Sequence, residues 1–164
     1  MEIQNHIKSK VIADELAINR QIAVWKFLNK KIVFTNGCFD ILHRGHVEYL
    51  AKAAELGEIL VIGMNTDASV QKLKGPGRPV NNEHARADVL AAIGFVDAVL
   101  FFDEETPYEL IKKVQPDVLV KGSDYEINNI VGHDIVESYG GQIATIPLVD
   151  GYSTTSIIDK IKSV

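Results

Sequence analysis

Two histidines three residues apart, His43 and His46, stand in His43-Arg44-Gly45-His46 just before an amphipathic stretch, 45–57, that reads as a helix. Backbone N–H groups and the dipole at a helix start favour an anion. Two imidazoles at this spacing can turn to the same side, and Gly45, lacking a side chain, lets a phosphate or base approach the backbone. Imidazole donors aimed at a phosphate oxygen are suited to a transition state in which charge builds up there. The plain alternative is one histidine capping the loop and another on a helix surface.

Other polar residues recur at comparable places. Gly37-Cys38-Phe39-Asp40 precedes the histidines; Asn65-Thr66-Asp67 leads to Lys72 and Lys74; Lys121-Gly122-Ser123-Asp124-Tyr125 and Asp150-Gly151-Tyr152-Ser153-Thr154-Thr155-Ser156 follow later. Each has a structural alternative. Lysines are usually solvated, a Ser/Thr run is usually a helix N-cap, and Lys121 and Asp124 can be a polar turn. Asp40 can orient the loop or a histidine, or cap a helix. Arg78 and Arg86 add positive charge, and Arg86 could equally be a structural ion pair. Cys38 could pair with His43 as a nucleophile, but no third orienting residue is evident, which favours a packed thiol.

These groups gain meaning from the elements that must carry them. Five short runs rich in Val, Ile, Leu and Phe (31–36, 58–65, 97–102, 117–121 and 142–147) read as strands buried on both faces. Helical patterns over 45–57, 67–74, 83–94, 106–115, 131–139 and 153–162 alternate with them. Thr106-Pro107 fits an N-cap followed by proline, and Gly57 and Gly140-Gly141 fit helix ends. Such alternation predicts a parallel sheet with helices on both faces. In such a sheet ligands bind beyond the carboxyl ends of the strands, which is where four of the polar segments fall. Residues 8–28 predict one further helix with an irregular apolar stripe of Val11, Leu16, Ile18, Ile22, Val24, Trp25 and Leu28, packed on the domain or on a second subunit. Gly75–Asn82, with two prolines and two glycines, reads as an excursion beside the sheet.

At 164 residues the chain suits one core. Its net charge of -5 argues against a general nucleic-acid or anionic-membrane binder. The acidity is regional: Lys72 to Arg86 holds four basic residues and one acidic, whereas Asp97 to Glu109 holds five acidic and no basic. One cysteine forms no internal disulfide or zinc cage, so a reducing cytoplasm is expected. No apolar run approaches the ~20 residues needed to span a bilayer, and residues 1–10 lead into no apolar signal core. A Gly-x-x-x-x-Gly-Lys-Ser/Thr loop, His-Glu-x-x-His and Gly-x-Ser-x-Gly are absent from the sequence.

Thr35-Asn36-Gly37-Cys38-Phe39-Asp40 with His43-Arg44-Gly45-His46 resembles the cytidylyltransferase-like branch of the nucleotidyltransferase superfamily, which carries Gly-x-Phe-Asp and His-x-Gly-His after its first strand. Its second signature, Gly-x-Ser-Thr-Thr/Ser-x-Ile, is matched by Gly151-Tyr152-Ser153-Thr154-Thr155-Ser156-Ile157, more than 100 residues later. Within that branch the chain is most similar, from about Lys31 to Ile161, to the D-glycero-β-D-manno-heptose 1-phosphate adenylyltransferases, the nucleotidyltransferase part of bifunctional heptose kinase/adenylyltransferases. Asn65-Thr66-Asp67-Ala68-Ser69, Leu73-Lys74-Gly75, Gly77-Arg78-Pro79-Val80 and Asp117 to Tyr125 carry that similarity. Cytidylyltransferases for glycerol 3-phosphate and phosphocholine usually place Arg-Thr-Glu-Gly before the Ser-Thr run; here Leu148-Val149-Asp150-Gly151 stands there, without the arginine.

The resemblance implies a Rossmann-like three-layer α/β/α fold: a five-stranded parallel sheet in residues 31–164, preceded by an N-terminal helical extension, residues 1–30. It implies transfer of AMP from ATP to a sugar 1-phosphate in the cytoplasm, for heptose incorporation into lipopolysaccharide. His43, His46 and Lys74 would be catalytic. Asn36, Gly37, Cys38, Phe39, Gly45, Lys121, Gly122, Asp124, Tyr152, Ser153, Thr154 and Thr155 would bind the nucleotide. Asp40, Asn65, Asp67, Lys72 and Arg78 would bind the acceptor. Mg²⁺ would enter with ATP, held by phosphate oxygens and water, without a protein metal site. The partners expected are small molecules and a second copy in a homodimer, with neither nucleic acid nor membrane. A cytidylyltransferase for a phosphorylated alcohol and a non-catalytic adenine-nucleotide-binding module are the alternatives.

Overall fold

The structure, a computed structural model, describes residues 2–124 and 126–163. Six parallel strands form one sheet: β1 (Val11–Ile12), β2 (Ile32–Gly37), β3 (Ile59–Asn65), β4 (Ala98–Phe102), β5 (Val118–Gly122) and β6 (Gln142–Ile146), in the order β1-β4-β3-β2-β5-β6. Eight α-helices accompany them among the described residues: α1 (Ile3–Lys10), α2 (Glu15–Phe27), α3 (Arg44–Ala54), α4 (Asp67–Lys74), α5 (Glu83–Ala91), α6 (Tyr108–Val114), α7 (His133–Ser138) and α8 (Thr154–Lys162).

Alternation along the strands divides the core between the two sheet faces. Ile32, Phe34, Val61, Leu100 and Leu119 pack with Ile18, Ile22 and Trp25 of α2, Ile111 and Val114 of α6 and Val136 of α7. Val33, Leu60, Ile62, Val99 and Val120 pack on the other face with Leu50 and Ala53 of α3 and Ala87 and Leu90 of α5. This is the three-layer α/β/α arrangement expected. None of the described helices is long and apolar enough to cross a membrane.

Three expectations require correction. The sheet has six strands, not five, because Val11-Ile12 pairs with Val99-Leu100 at its edge. A two-residue strand has no periodicity to reveal it. The predicted 8–28 helix is accordingly split: α2 begins only after Asp14, whose side chain accepts from the Ala17 N–H. Ile18, Ile22 and Trp25 of the predicted stripe are buried, whereas Leu16, Val24 and Leu28 are exposed. At α6 Pro107 takes the N-cap position instead of Thr106, with no side-chain cap.

The topology opens a crevice. From β2 the chain builds outward through β3 and β4, then crosses back to place β5 on the other side of β2. That reversal is the switch point at which ligands bind in open parallel sheets. β2 pairs with β3 over six residue pairs from Ile32 to Gly37, but with β5 only at Val33↔Val118 and Phe34↔Leu119. The carboxyl ends of β2 and β5 therefore part, and the chemistry-bearing segments surround the gap.

Candidate active site

A cavity of about 570 Å³ lies at this gap. Two helix N-termini converge on it. His43 caps α3 through a long hydrogen bond from the His46 N–H to its Nδ1, 3.4 Å. Ser153 caps α8 in a reciprocal box with Ser156. Gly45 is where the two ends touch. A Cβ there would lie 3.1 Å from His43 Nδ1 and 3.2 Å from Tyr152 Cβ. Gly45→Ala is therefore expected to push the His43 ring and Tyr152 apart. Misplacement near 1 Å can cost on the order of 10²-fold in kcat/KM. Steady-state kinetics beside a melting curve would separate that loss from unfolding.

The His43 and His46 rings stack, centroids 3.8 Å apart and 20° between planes. Phe39, held at a left-handed φ of 45°, turns its ring edge-on to His46 at 5.2 Å. Burial, and then the neighbouring His43, push His46 down to about 4, against the pull of the Ile41 carbonyl. Burial also lowers His43. Both rings are thus biased toward the neutral form. His46 Nδ1 and Asn36 Oδ1 are buried without hydrogen-bond partners, and both residues line the cavity. Such atoms cost about 1–3 kcal/mol until something satisfies them.

Three cations border the same space: Lys74 at the end of α4, Arg78 on the following loop and Lys121 at the end of β5. Burial lowers Lys121 to about 8, partly offset by Asp124. At pH 7 it remains mostly protonated, and it loses its charge as pH rises through about 8. KM for a phosphate ligand held by this charge is expected to rise above pH 8. In Lys121→Met that dependence should vanish, as a pH series of initial rates would reveal.

Asp40 is 1% exposed and holds the 75–82 loop rather than a histidine. Arg78 Nε donates to its Oδ2 at 2.7 Å, and the Val80 and Asn81 N–H groups donate to its Oδ1 at 2.7 and 3.0 Å. Cys38 Sγ faces Asn65 Oδ1 at 3.8 Å, and burial raises its thiol, so it is no ready thiolate nucleophile. Asn65, 3% exposed, is tied by its Nδ2 to Ser69 Oγ.

The cavity wall includes Asn36, Gly37, Cys38, Phe39, Asp40, His43, Gly45, His46, Asn65, Lys74, Arg78, Lys121, Gly122, Asp124, Tyr152, Ser153, Thr154 and Thr155, as the sequence predicts. Asp67 and Lys72, expected with the acceptor, are not part of it. Asp67 pairs with Arg86 at 2.8 Å, and Lys72 lies 4.0 Å from Asp103. Tyr125 lies outside the described residues. Tyr49, Leu73, Leu148 and Val149 line the cavity but escaped the sequence reading. Tyr49 stands three residues after His46 on the same face of α3, with its hydroxyl 2.8 Å from Thr35 Oγ1, and that spacing was a usable signal.

Of the carboxylates on the wall, Asp40 has both oxygens engaged by Arg78 and two backbone N–H groups. Among the described residues no group of three His, Cys, Asp or Glu could hold a metal. The donor set suits an anion.

The cytidylyltransferase-like family model matches residues 34–160, most of the chain and both signature segments. The chain belongs to the cytidylyltransferase-like family. Among curated relatives it is 58% identical over 132 residues to the bifunctional protein HldE of Syntrophotalea carbinolica, covering 80% of this chain and 27% of that one. It is 51% identical to the HldE of Magnetococcus marinus (95% of this chain, 32% of that one) and 51% identical to that of Campylobacter curvus (98% and 32%). The chain thus spans about a third or less of the length of the curated relatives it matches. Among solved structures, the lipopolysaccharide core biosynthesis protein from Thermoplasma volcanium GSS1 superposes with a TM-score of 0.62 at 25% identity, over 74% of this chain and 99% of that one. Pantoate-beta-alanine ligase from Francisella tularensis, solved with β-γ ATP and β-alanine, shares the fold at a TM-score of 0.59 and 14% identity, over 94% and 78%. The cytidylyltransferase-like match covers the strands and helices that border the cavity, from β2 to α8.

Proposed function

We propose that this chain is an adenylyltransferase that moves AMP from ATP to D-glycero-β-D-manno-heptose 1-phosphate, releasing pyrophosphate and ADP-heptose for lipopolysaccharide assembly. The observation that carries the reading is the convergence of two helix N-termini, the stacked His43–His46 pair and Lys74 on one crevice at the switch point. The HldE relatives and the lipopolysaccharide core biosynthesis protein support the heptose branch.

The chemistry is a single in-line displacement. A phosphate oxygen of the sugar 1-phosphate forms a bond to the α-phosphorus of ATP as the bond to the β-phosphate bridging oxygen breaks, and pyrophosphate carries away the bonding pair. No covalent enzyme intermediate is needed, since positioning and charge stabilisation supply the catalysis. His46 hydrogen-bonds the α-phosphate, where charge develops. His43 and Lys74 share the phosphate cradle, and Ser153, Thr154 and Thr155 hold the leaving pyrophosphate at the α8 N-terminus. Arg78 faces the acceptor phosphate with Asn65 beside it, and Asn36 and Lys121 lie on the nucleotide's side of the crevice. Mg²⁺, carried by the phosphate oxygens and water of the substrate, neutralises part of the triphosphate charge.

The outer face of α2, where Phe27 is 85% exposed beside Leu16, Val24 and Leu28, supports pairing of two copies. The direct route is tested with ATP made chiral at the α-phosphorus. One displacement inverts the configuration in ADP-heptose, and retention would rule out the single-step mechanism.

A further inference from the structure

Arg86 is among the largest fully buried side chains, with 0% of its side chain exposed, and the phosphoryl chemistry gives it no direct role. A buried guanidinium persists only when its donors are engaged. Those of Arg86 reach three separate segments. Nη2 donates to Asp67 Oδ1 at the start of α4 at 2.8 Å, Nη1 to the Cys38 carbonyl after β2 at 2.6 Å, and Nε to the Asn81 carbonyl before α5 at 3.1 Å. Those segments carry Lys74, the turn into the histidine pair, and Arg78.

From this geometry we infer that Arg86 is a positioning residue for the histidine pair, acting through the Cys38 carbonyl and the Phe39 ring. The link is short. Cys38 is followed by Phe39 in its left-handed conformation, where a neighbour must fix the backbone. The Phe39 ring then bears on two places. It packs edge-on against His46 at 5.2 Å, and it fills the space over Gly37, where a Cβ would come within 3.1 Å of it. Phe39 is 6% exposed, so His46 owes part of its burial to this ring. Arg86 touches neither substrate nor reacting atoms. Only the planar fork joins the carboxylate and two carbonyls at once, a task that a lysine cannot repeat.

The alternative is a pin that merely stabilises the fold. That role would lower the melting temperature and the folded fraction, but would leave the turnover of each folded molecule and the His46 ring unchanged. Arg86→Lys separates the two, because it keeps a cation beside Asp67 while giving up the fork. Two readouts are taken on folded protein. One is kcat and KM for ATP in pyrophosphate release. The other is the proton NMR titration of the His46 ring, assigned by comparison with His46→Asn.

The expected result is a kcat lower by about tenfold or more, with KM for ATP changed by less than about threefold. The His46 titration should move up from about 4 toward the ordinary histidine range as the ring loses cover. If Arg86→Lys fails to fold, Asp67→Asn, which weakens one arm of the fork, should shift both readouts the same way by less. A His46 titration that stays in place, or a turnover per folded molecule that stays within about twofold, overturns the inference. The kinetic half rests on the adenylyltransferase reading and the titration half does not. An inactive parent protein would therefore sink that reading and leave Arg86 to be decided by NMR.

Discussion

His46→Ala is expected to lower kcat for pyrophosphate release by on the order of 10²-fold or more, while the protein melts cooperatively near the parental temperature. Ring and cavity geometry give the reason. His46 lies buried between His43 and Phe39 on the cavity wall, where the proposed mechanism sets its ring against the α-phosphate. Its alanine variant removes the ring proposed to hydrogen-bond the α-phosphate, and leaves two rings without their neighbour. Substrate contacts elsewhere in the crevice survive, so kcat should fall more than KM for ATP rises. The pH dependence of folding carries the same signature. A histidine held at about 4 in the folded state titrates near 6.5 when unfolded, so the unfolded chain binds its proton first as pH falls. Stability is thus lost between roughly pH 6.5 and 4, and His46→Asn should remove that part of the slope. Turnover of His46→Ala within a few-fold of the parent would contradict the assigned role.

Asp40→Ala is expected to give the largest loss of stability among the cavity residues. It strips the acceptor from Arg78 and from two backbone N–H groups in one step, and Asp40 is 1% exposed. Removing one partner of a buried, hydrogen-bonded ion pair costs about 3–5 kcal/mol. Arg78 is 20% exposed and can regain some hydration, which favours the lower end. At about 2–4 °C per kcal/mol for a chain of this size, the melting temperature should fall by roughly 10 °C. The 75–82 loop would also come loose beside Lys74, raising KM for ATP. Asp40→Asn, which keeps one acceptor oxygen, should fall between the two in both measures. An unchanged melting temperature in Asp40→Ala would show that the loop is held by other contacts.

Much of the site was legible because its residues come in short segments fixed by local rules. His43 to His46 opens a helix, Ser153 to Ser156 forms a capping box, and Lys121-Gly122 ends a strand; in each, sequence spacing is spatial spacing. The apolar runs were legible as strands because burial on both faces leaves little room for polar residues. Tertiary arrangements were harder to read. Lys74 was expected in the catalytic cradle and Lys72 with the acceptor, yet two residues along a helix is roughly 200° of rotation, so only one can face the crevice. Asp67 was expected to meet the acceptor. Its partner Arg86 lies on a different helix, and nothing local announces a contact that folding alone creates. The same holds for Asp40, whose partners are about 40 residues away and whose role as the fastening of a loop follows from geometry alone. β1 was missed because two residues carry no period, although Val11-Ile12 is a β-branched pair of the kind enriched in strands.

The most direct test of the central claim is pyrophosphate release measured with ATP and CTP, each crossed with D-glycero-β-D-manno-heptose 1-phosphate and with glycerol 3-phosphate. Release is expected with ATP and the heptose 1-phosphate, together with a product of the mass of ADP-heptose, and little with the other pairs. Release only with CTP would contradict the choice of nucleotide, and no release with any pair would leave a binding module in place of an enzyme.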